Sequence, residues 1–234
     1  MIDVHSHIIP FVDDGSNAMR ISLAMLYDEI KAGVTEVILT PHYRENKYDA
    51  PIDVVVKNFN LLQDEVRKCE MPIKLHLGRE ISVDDRHKDH IKGGNFISLA
   101  NTYYVLLEFP FNDKTDIDDV CYEVKLMGYI PVIAHVERYS YFRDYAAIEA
   151  LKDSGVLIQT NAAAIVGDTS RKERAFVKGL LKRKLVDLVG SDIHSTRINH
   201  MAEAYRKVAK KDAEYAEKIF TLNAKALLNS KKRD

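Results

Sequence analysis

The chain has 234 residues, with 34 basic and 35 acidic side chains for a net charge of -1, so no basic face offers itself to nucleic acid or to an anionic membrane. Its 46% hydrophobic content can fill a substantial core, and no apolar run approaches the length of a membrane span. Residues 1–15 hold two His and three Asp and lack the basic start and apolar stretch of a signal peptide, so a cytoplasmic location is expected.

Ile2 and Val4 alternate with Asp3 and His5, the period of a half-buried strand. Residues two apart share a side of a strand, so His5 and His7 aim two imidazoles at one point. Ser16 reads as the N-cap of a helix that runs to about Ala32 and closes at Gly33. Residues 36–42 form a buried strand ending in His42, residues 52–69 a helix with Val55, Phe59, Leu62 and Val66 on one face, and residues 73–81 a strand delivering Glu80. Residues 84–95 are polar and end at a Gly93-Gly94 turn; His87 and His90 could be i,i+3 ligands on a helix, but read more simply as solvated loop residues, since no strand positions them.

Strands over 103–110, 129–138, 156–162 and 185–194 carry Glu108, His135, Asn161, Asp192 and His194. Helices over 116–127, 144–154 and 170–183 separate them, and residues 199–229 are helical with a junction near Lys211-Asp212. The last five residues, 230–234, are expected to fray. Strand ends recur every 26 to 38 residues, the length of a βαβ unit, with no low-complexity linker. Residues 1–234 therefore read as one domain, with seven β/α units in an α/β barrel and the active site at the carboxyl ends of its strands.

The strand-end set is His5, His7, His42, Glu80, Glu108, His135, Asp192 and His194. Converging acids and half-buried imidazoles repel unless cations neutralise them. Nitrogen and oxygen donors without thiolate suit Mn, Fe or Zn, and eight ligands exceed the needs of one ion, so two or three divalent metal ions are expected. The cysteines offer no alternative chemistry. A cysteine phosphatase needs C-x5-R, but Leu75 follows Cys69 at that spacing and Met127 follows Cys121. Both are read as packed small hydrophobes.

The blocks His5-Ser6-His7-Ile8-Ile9-Pro10, Asp13-Asp14-Gly15-Ser16, Thr40-Pro41-His42, Gly78-Arg79-Glu80-Ile81, Leu107-Glu108-Phe109-Pro110, Ala134-His135-Val136-Glu137-Arg138-Tyr139, Gln159-x-Asn161 and Gly190-Ser191-Asp192-x-His194 span nearly the whole chain. In this order the sequence resembles the PHP (polymerase and histidinol phosphatase) superfamily. Within it, the chain resembles the manganese-dependent protein-tyrosine phosphatases of bacterial capsule and exopolysaccharide operons, the CpsB/YwqE type. The resemblance implies a distorted (β/α)7 barrel with a trinuclear site, most simply of Mn. It also implies a phosphotyrosine protein as substrate, with a bacterial tyrosine kinase bearing a tyrosine-rich tail as partner. Arg138 and Arg197 would clamp the phosphate, a metal-activated water would attack phosphorus, and Asp14 could protonate the leaving oxygen. One departure is the loop Ser195-Thr196-Arg197-Ile198-Asn199-His200, shorter than the family's and without its prolines. The alternatives are a small-molecule phosphomonoesterase, such as a histidinol-phosphate phosphatase, and a non-catalytic metal-stabilised module. The Tyr139-Ser140-Tyr141-Phe142 segment is either an aromatic rim for substrate or packing around a helix start.

Overall fold

The computed structural model describes residues 1–94, 96–111 and 113–230. Residues 231–234, and with them most of the tail expected to fray, lie outside the described residues. The strands are β1 (Ile2–Ser6), β2 (Glu36–Leu39), β3 (His42–Tyr43), β4 (Lys74–Leu77), β5 (Glu80–Ser82), β6 (Tyr104–Glu108), β7 (Ile130–Ile133), β8 (Leu157–Asn161) and β9 (Leu188–Gly190). All pair in parallel, β1-β2-β4 in one run and β3-β5-β6-β7-β8-β9 in the other.

β2 and β3 are two halves of one barrel strand, interrupted at Thr40-Pro41, where proline has no N–H to give to a ladder. β4 and β5 are likewise interrupted at Gly78-Arg79. Counted this way, the described residues give the barrel seven strands. It closes where β9 meets β1: Ser6 bridges Ile193, Asp192 N–H donates to His5 O at 2.8 Å, and His7 N–H donates to Ile193 O at 3.0 Å. The α/β barrel expected from the spacing is the fold observed.

The helices are α1 (Met19–Lys31), α2 (Ile52–Lys68), α3 (His87–Lys92), α4 (Ile117–Leu126), α5 (Tyr145–Asp153), α6 (Ala162–Val166), α7 (Arg171–Lys182), α8 (Met201–Ala209), α9 (Ala213–Glu217) and α10 (Asn223–Asn229). A π-helical segment, Lys218–Leu222, joins the last two, and the junction expected near Lys211-Asp212 falls between α8 and α9. Local chemistry starts several of them. Asp116 caps α4, Asp144 caps α5, and Ser170 with Glu173 forms a reciprocal capping box at α7.

Three expectations need correction. Ser16 does not cap α1, which starts after Ala18 without a side-chain cap. Its backbone instead closes a turn, accepting from Phe11 N–H at 2.8 Å. The 84–95 stretch contains α3, on which His87 and His90 are buried rather than solvated. α6, directly after Asn161, was not anticipated; five residues are too few to show a helical period.

Two packed layers follow from strand alternation. Val37, Leu39, Val105 and Leu107 face outward into the layer shared with the helices. Ile2, Val4, Ile38, Leu106, Val132 and Leu188 face inward and fill the barrel floor, which Leu99 and Ala224, Leu227 and Leu228 of α10 close.

Candidate metal centre and phosphate recess

The eight strand-end residues meet at the barrel mouth. The approach is so close that side chains are excluded at two positions. A Cβ on Gly15 would lie 2.0 Å from His7 O, and one on Gly190 would lie 2.6 Å from the His5 Cβ. His135 (φ 30°) and Asp192 (φ 50°) adopt left-handed backbone, uncommon for any residue but glycine, though Asp and His accept it more readily than most. Such strain is held in place by surrounding structure and collects at functional sites.

Four of the five imidazoles are oriented by a partner behind them. His7 Nδ1 lies 2.8 Å from Asp13 Oδ2, His5 Nδ1 lies 3.3 Å from Gln159 Oε1, His135 Nδ1 lies 3.3 Å from the Tyr139 hydroxyl, and His194 Nδ1 lies 3.0 Å from Asp192 O. Donation from His7 Nδ1 to Asp13, for example, leaves the Nε2 lone pair pointing inward. Inside, His5 Nε2 and His7 Nε2 face each other at 3.1 Å, and Glu80 Oε2 lies 3.3 and 3.4 Å from them. His42 Nδ1 sits 2.8 Å from Glu80 Oε2 without hydrogen-bond alignment. His42 Nδ1, Glu80 Oε2 and His194 Nε2 are buried with no hydrogen-bond partner. Buried polar atoms left this way are costly, and a shared cation satisfies all of them at once. The residues therefore fit divalent ions.

Three donor groups can be distinguished. His5, His7 and Glu80 form the first, with Asp192 Oδ1 3.4 Å from His7 Nε2. His42, Glu80 and Glu108 form the second, and His135 Nε2 adds itself at 2.9 Å from Glu80 Oε1 and 3.7 Å from Glu108 Oε1. His7, Asp14, His42 and His194 form the third. Glu80 belongs to two groups and is placed to bridge.

The field matches this layout. Burial favours the neutral form of Glu80, yet His5 and His42 hold its carboxyl well below the usual range. Burial likewise resists ionisation of Asp192, and its hydrogen bond to His7 and the charge of His5 outweigh it. Burial also opposes ionisation of Asp13, but His7 and the N–H groups of Gly15 and His42 bring it down to about 2. His194 is pushed down to about 4 by burial and by His7, so its imidazole is neutral and able to ligate at neutral pH.

The proton-donor role expected for Asp14 does not suit its position. Its Oδ1 lies 3.6 Å from His42 Nε2 and 3.4 Å from His194 Nε2, and Tyr48 donates to its Oδ2 at 2.9 Å. Partial burial favours its neutral form, but that hydrogen bond and the nearby imidazoles lower its pKa, so the carboxyl stays ionised. Asp14 stands as a ninth candidate ligand.

Beside the cluster is a recess of about 130 Å3, lined by Asp14, His42, Glu108 and His194 on one side and by Arg44, Lys47, Tyr48, Phe111, Arg138 and Arg197 around it. Both expected arginines are there. Arg197 Nη1 donates to Asp192 Oδ2 at 2.7 Å and to Asp192 O at 3.0 Å; Arg138 Nη1 donates to the same Oδ2 at 3.4 Å. The Arg138 guanidinium also lies over the Phe111 ring, 4.4 Å from its centroid.

Sequence reasoning missed Arg44, Lys47, Tyr48 and Phe111. All stand in loops after a strand end, where no period marks them. The Tyr139 segment resolves toward packing: Tyr139 is fully buried and accepts Phe109 N–H at 3.0 Å. Tyr48, stacked on His42, and Phe111 are the aromatic residues of the recess. Among the cysteines, Cys121 is buried and its thiol is pushed up to about 12 by burial. Cys69 is exposed just after α2, against the packed position expected for it. Neither lines the recess.

Fold and mouth together define an α/β barrel whose strand ends converge as a histidine–carboxylate cluster suited to divalent cations. A family model described as "Capsular polysaccharide synthesis, CpsB/CapC" matches residues 1–229, and the chain belongs to that family. It is 30% identical to the tyrosine-protein phosphatase YwqE of Bacillus subtilis over 98% of this chain and 92% of that one. It is 28% identical to the tyrosine-protein phosphatase CpsB of Streptococcus agalactiae, over 98% and 99%. A solved structure from crystallographic work on YwqE of Bacillus subtilis and CpsB of Streptococcus pneumoniae, described as metal-dependent tyrosine phosphatases, superposes with a TM-score of 0.90. It covers 100% of this chain and 96% of that one at 28% identity.

Proposed function

We propose that residues 1–234 work as one catalytic domain, a metal-dependent protein-tyrosine phosphatase. The observation that carries this reading is the placement of Arg138 and Arg197 on Asp192, at the seam between the donor cluster and the recess. The relatives named as tyrosine phosphatases support it.

His5, His7, Glu80 and Asp192 would hold one ion, Glu80, Glu108 and His135 a second, and Asp14, His42 and His194 a third, with Mn the first choice and Fe or Zn compatible with the same donors. Ions so held supply a water acidified to near neutrality and positive charge for the phosphoryl oxygens. Arg138 and Arg197 each spend only Nη1 on Asp192 and keep further guanidinium donors for phosphate, whose geometry the fork matches. Tyr48 and Phe111 flank the aromatic ring of the substrate. With Asp14 ionised, the site has no assigned proton donor for the leaving oxygen. That favours phenolate, with a conjugate-acid pKa of about 10, over an alkoxide. The small recess, with Arg197 partly exposed at its edge, suits a side chain presented by a protein more than an enclosed metabolite. The partner is a phosphotyrosine protein, and the family's link to capsule synthesis points to a bacterial tyrosine kinase with a tyrosine-rich tail, met in the cytoplasm.

The test is hydrolysis by the Mn-loaded protein of a phosphotyrosine peptide, a phosphoserine peptide and histidinol phosphate, for wild type, Arg138→Ala and Arg197→Ala. Each substitution should lower kcat/KM for phosphotyrosine by roughly 10²-fold or more, the scale of a lost oxyanion donor, with metal content unchanged. A higher kcat/KM for histidinol phosphate than for phosphotyrosine would make the protein a small-molecule phosphatase. Metal loss in either variant would move that arginine from substrate binding to support of the cluster.

A further inference from the structure

The recess is the middle of a longer trough. Through Arg44, Glu108 and Phe111 it opens into a groove of about 920 Å3. Through Arg138, Asp192 and Arg197 it opens on the other side into a groove of about 520 Å3. The first is near the upper end of the volumes, roughly 300–1,000 Å3, of clefts that take whole ligands. A phosphate and one aromatic ring do not need it.

The two grooves differ in unengaged charge. The larger runs between the β5–α3 and β6–α4 connections and is lined by Asp84, Asp85, Asp113, Asp116 and Asp119, all exposed. Four of the acids there are already engaged, Glu45 with Arg86 at 2.6 Å, Glu123 with Lys88 at 2.8 Å, Asp84 with His90 at 3.4 Å and Asp116 as the cap of α4, which leaves Asp85, Asp113 and Asp119 to face a ligand. Of the remaining lining residues only Arg44 and Lys114 carry positive charge. With a net charge of -1 for the whole chain, this acidity is local. The smaller groove also carries more acids than bases, with Glu137, Asp168, Glu173 and Asp192 against Arg138 and Arg197, but its acids are engaged. Asp168 pairs with His200 at 2.9 Å, Glu173 caps α7, and buried Glu137 accepts from Thr160 and from Asn161 N–H.

We propose that substrate lies across the barrel mouth as an extended polypeptide, and that the acidic groove selects Lys or Arg on one flank of the phosphotyrosine. The proposal rests on the phosphatase reading above and adds its sequence preference. Exposed charge pairs are individually weak, so two or three of them together give roughly a ten-fold preference that salt screens. Acidic residues on the same flank are repelled.

The experiment uses the Mn-loaded full chain and a phosphotyrosine peptide in a neutral Ala/Gly frame. Two Lys or two Glu are placed on the N-terminal or the C-terminal flank, with para-nitrophenyl phosphate as a substrate without flanks. Two Lys on one flank, and not the other, should raise kcat/KM about ten-fold at low salt, and two Glu there should lower it. The combined variant Asp85→Asn, Asp113→Asn, Asp119→Asn should lose that gain while its turnover of para-nitrophenyl phosphate stays unchanged, which also reports that it folds. Should the variant not fold, the flank and salt dependence of the wild type still decide. Equal gains on both flanks, no gain on either, or a gain that survives in the folded variant would overturn the proposal. Turnover of para-nitrophenyl phosphate with no hydrolysis of any phosphotyrosine peptide would instead overturn the phosphatase reading, and this proposal with it.

Discussion

The two ends of the barrel are made from the same strands under opposite rules. Val4 and His5 are neighbours, and both are fully buried. Val4 points to a floor of Ile2, Ile38, Leu106, Val132 and Leu188, where each large side chain taken from water contributes roughly 1.5–3 kcal/mol. His5 points to a mouth where lone pairs face lone pairs and three buried polar atoms have no partner. Floor and mouth are equally dry in these positions, so what separates them is the chemistry that is buried. The floor holds the fold; the mouth is tolerated by it until cations arrive.

The largest effect should come from breaking the mouth at Glu80, the carboxylate that two donor groups share. Glu80→Gln keeps the shape and removes the bridging charge. It should lower phosphotyrosine hydrolysis by at least about 10³-fold, beyond the usual cost of one acid–base group, because metals and their water are lost together. Chelating the wild type should do the same and lower its Tm, since a ligand that binds only the folded state stabilises it. In Glu80→Gln the Tm should no longer respond to added Mn. A variant that retains full metal content and turnover would refute the shared-ligand assignment.

The opposite end gives the contrast. Leu227 of α10 plugs the floor at 1% exposure. Leu227→Ala should cost about 2–5 kcal/mol of stability in urea unfolding, the range for a buried Leu truncated to Ala. Turnover per folded, metal-loaded molecule should stay at the wild-type value. A drop in kcat without loss of stability would show the two ends to be coupled, and the division drawn here would fail.

This division also explains what was legible in the sequence. Strand-end ligands such as His42, Glu108 and His135 follow apolar runs with a strand period, and the pattern recurs in chain order, so both barrel and cluster could be read. Asp14 reads from sequence as a proton donor, and its place among the candidate ligands does not, because that depends on where His42 and His194 converge with it, 28 and 180 residues away in the chain. Asp13 and Gln159 act behind the ligands, on His7 and on His5, and nothing in local spacing marks such partners. The flanking groove is built from loop residues around Asp84 and Asp113, whose polarity reads from sequence as ordinary solvated loop. Its shape exists only after the barrel forms.

A residue behind the mouth sharpens the comparison with the smallest effect. Glu29 of α1 is fully buried, and neither carboxyl oxygen has a hydrogen-bond partner. Burial, with the carboxylate of Asp3 beside it, raises its pKa well above the usual value. It resembles the mouth in being a buried acid and the floor in lacking a counter-charge. A folded pKa raised above the unfolded one means that its stabilising contribution is complete below the unfolded pKa, near 4.5, and is lost as pH rises through the folded pKa. Glu29→Gln removes the ionisation and keeps the shape. Above the folded pKa the variant should therefore be more stable, because its amide carries no charge to bury beside Asp3. The gain should shrink toward pH 5, where the wild-type carboxyl carries its proton. Urea unfolding of the metal-loaded proteins at pH 5 and pH 8 measures this directly. Equal stability of the two proteins at pH 8 would mean that Glu29 does not bear a charge penalty there.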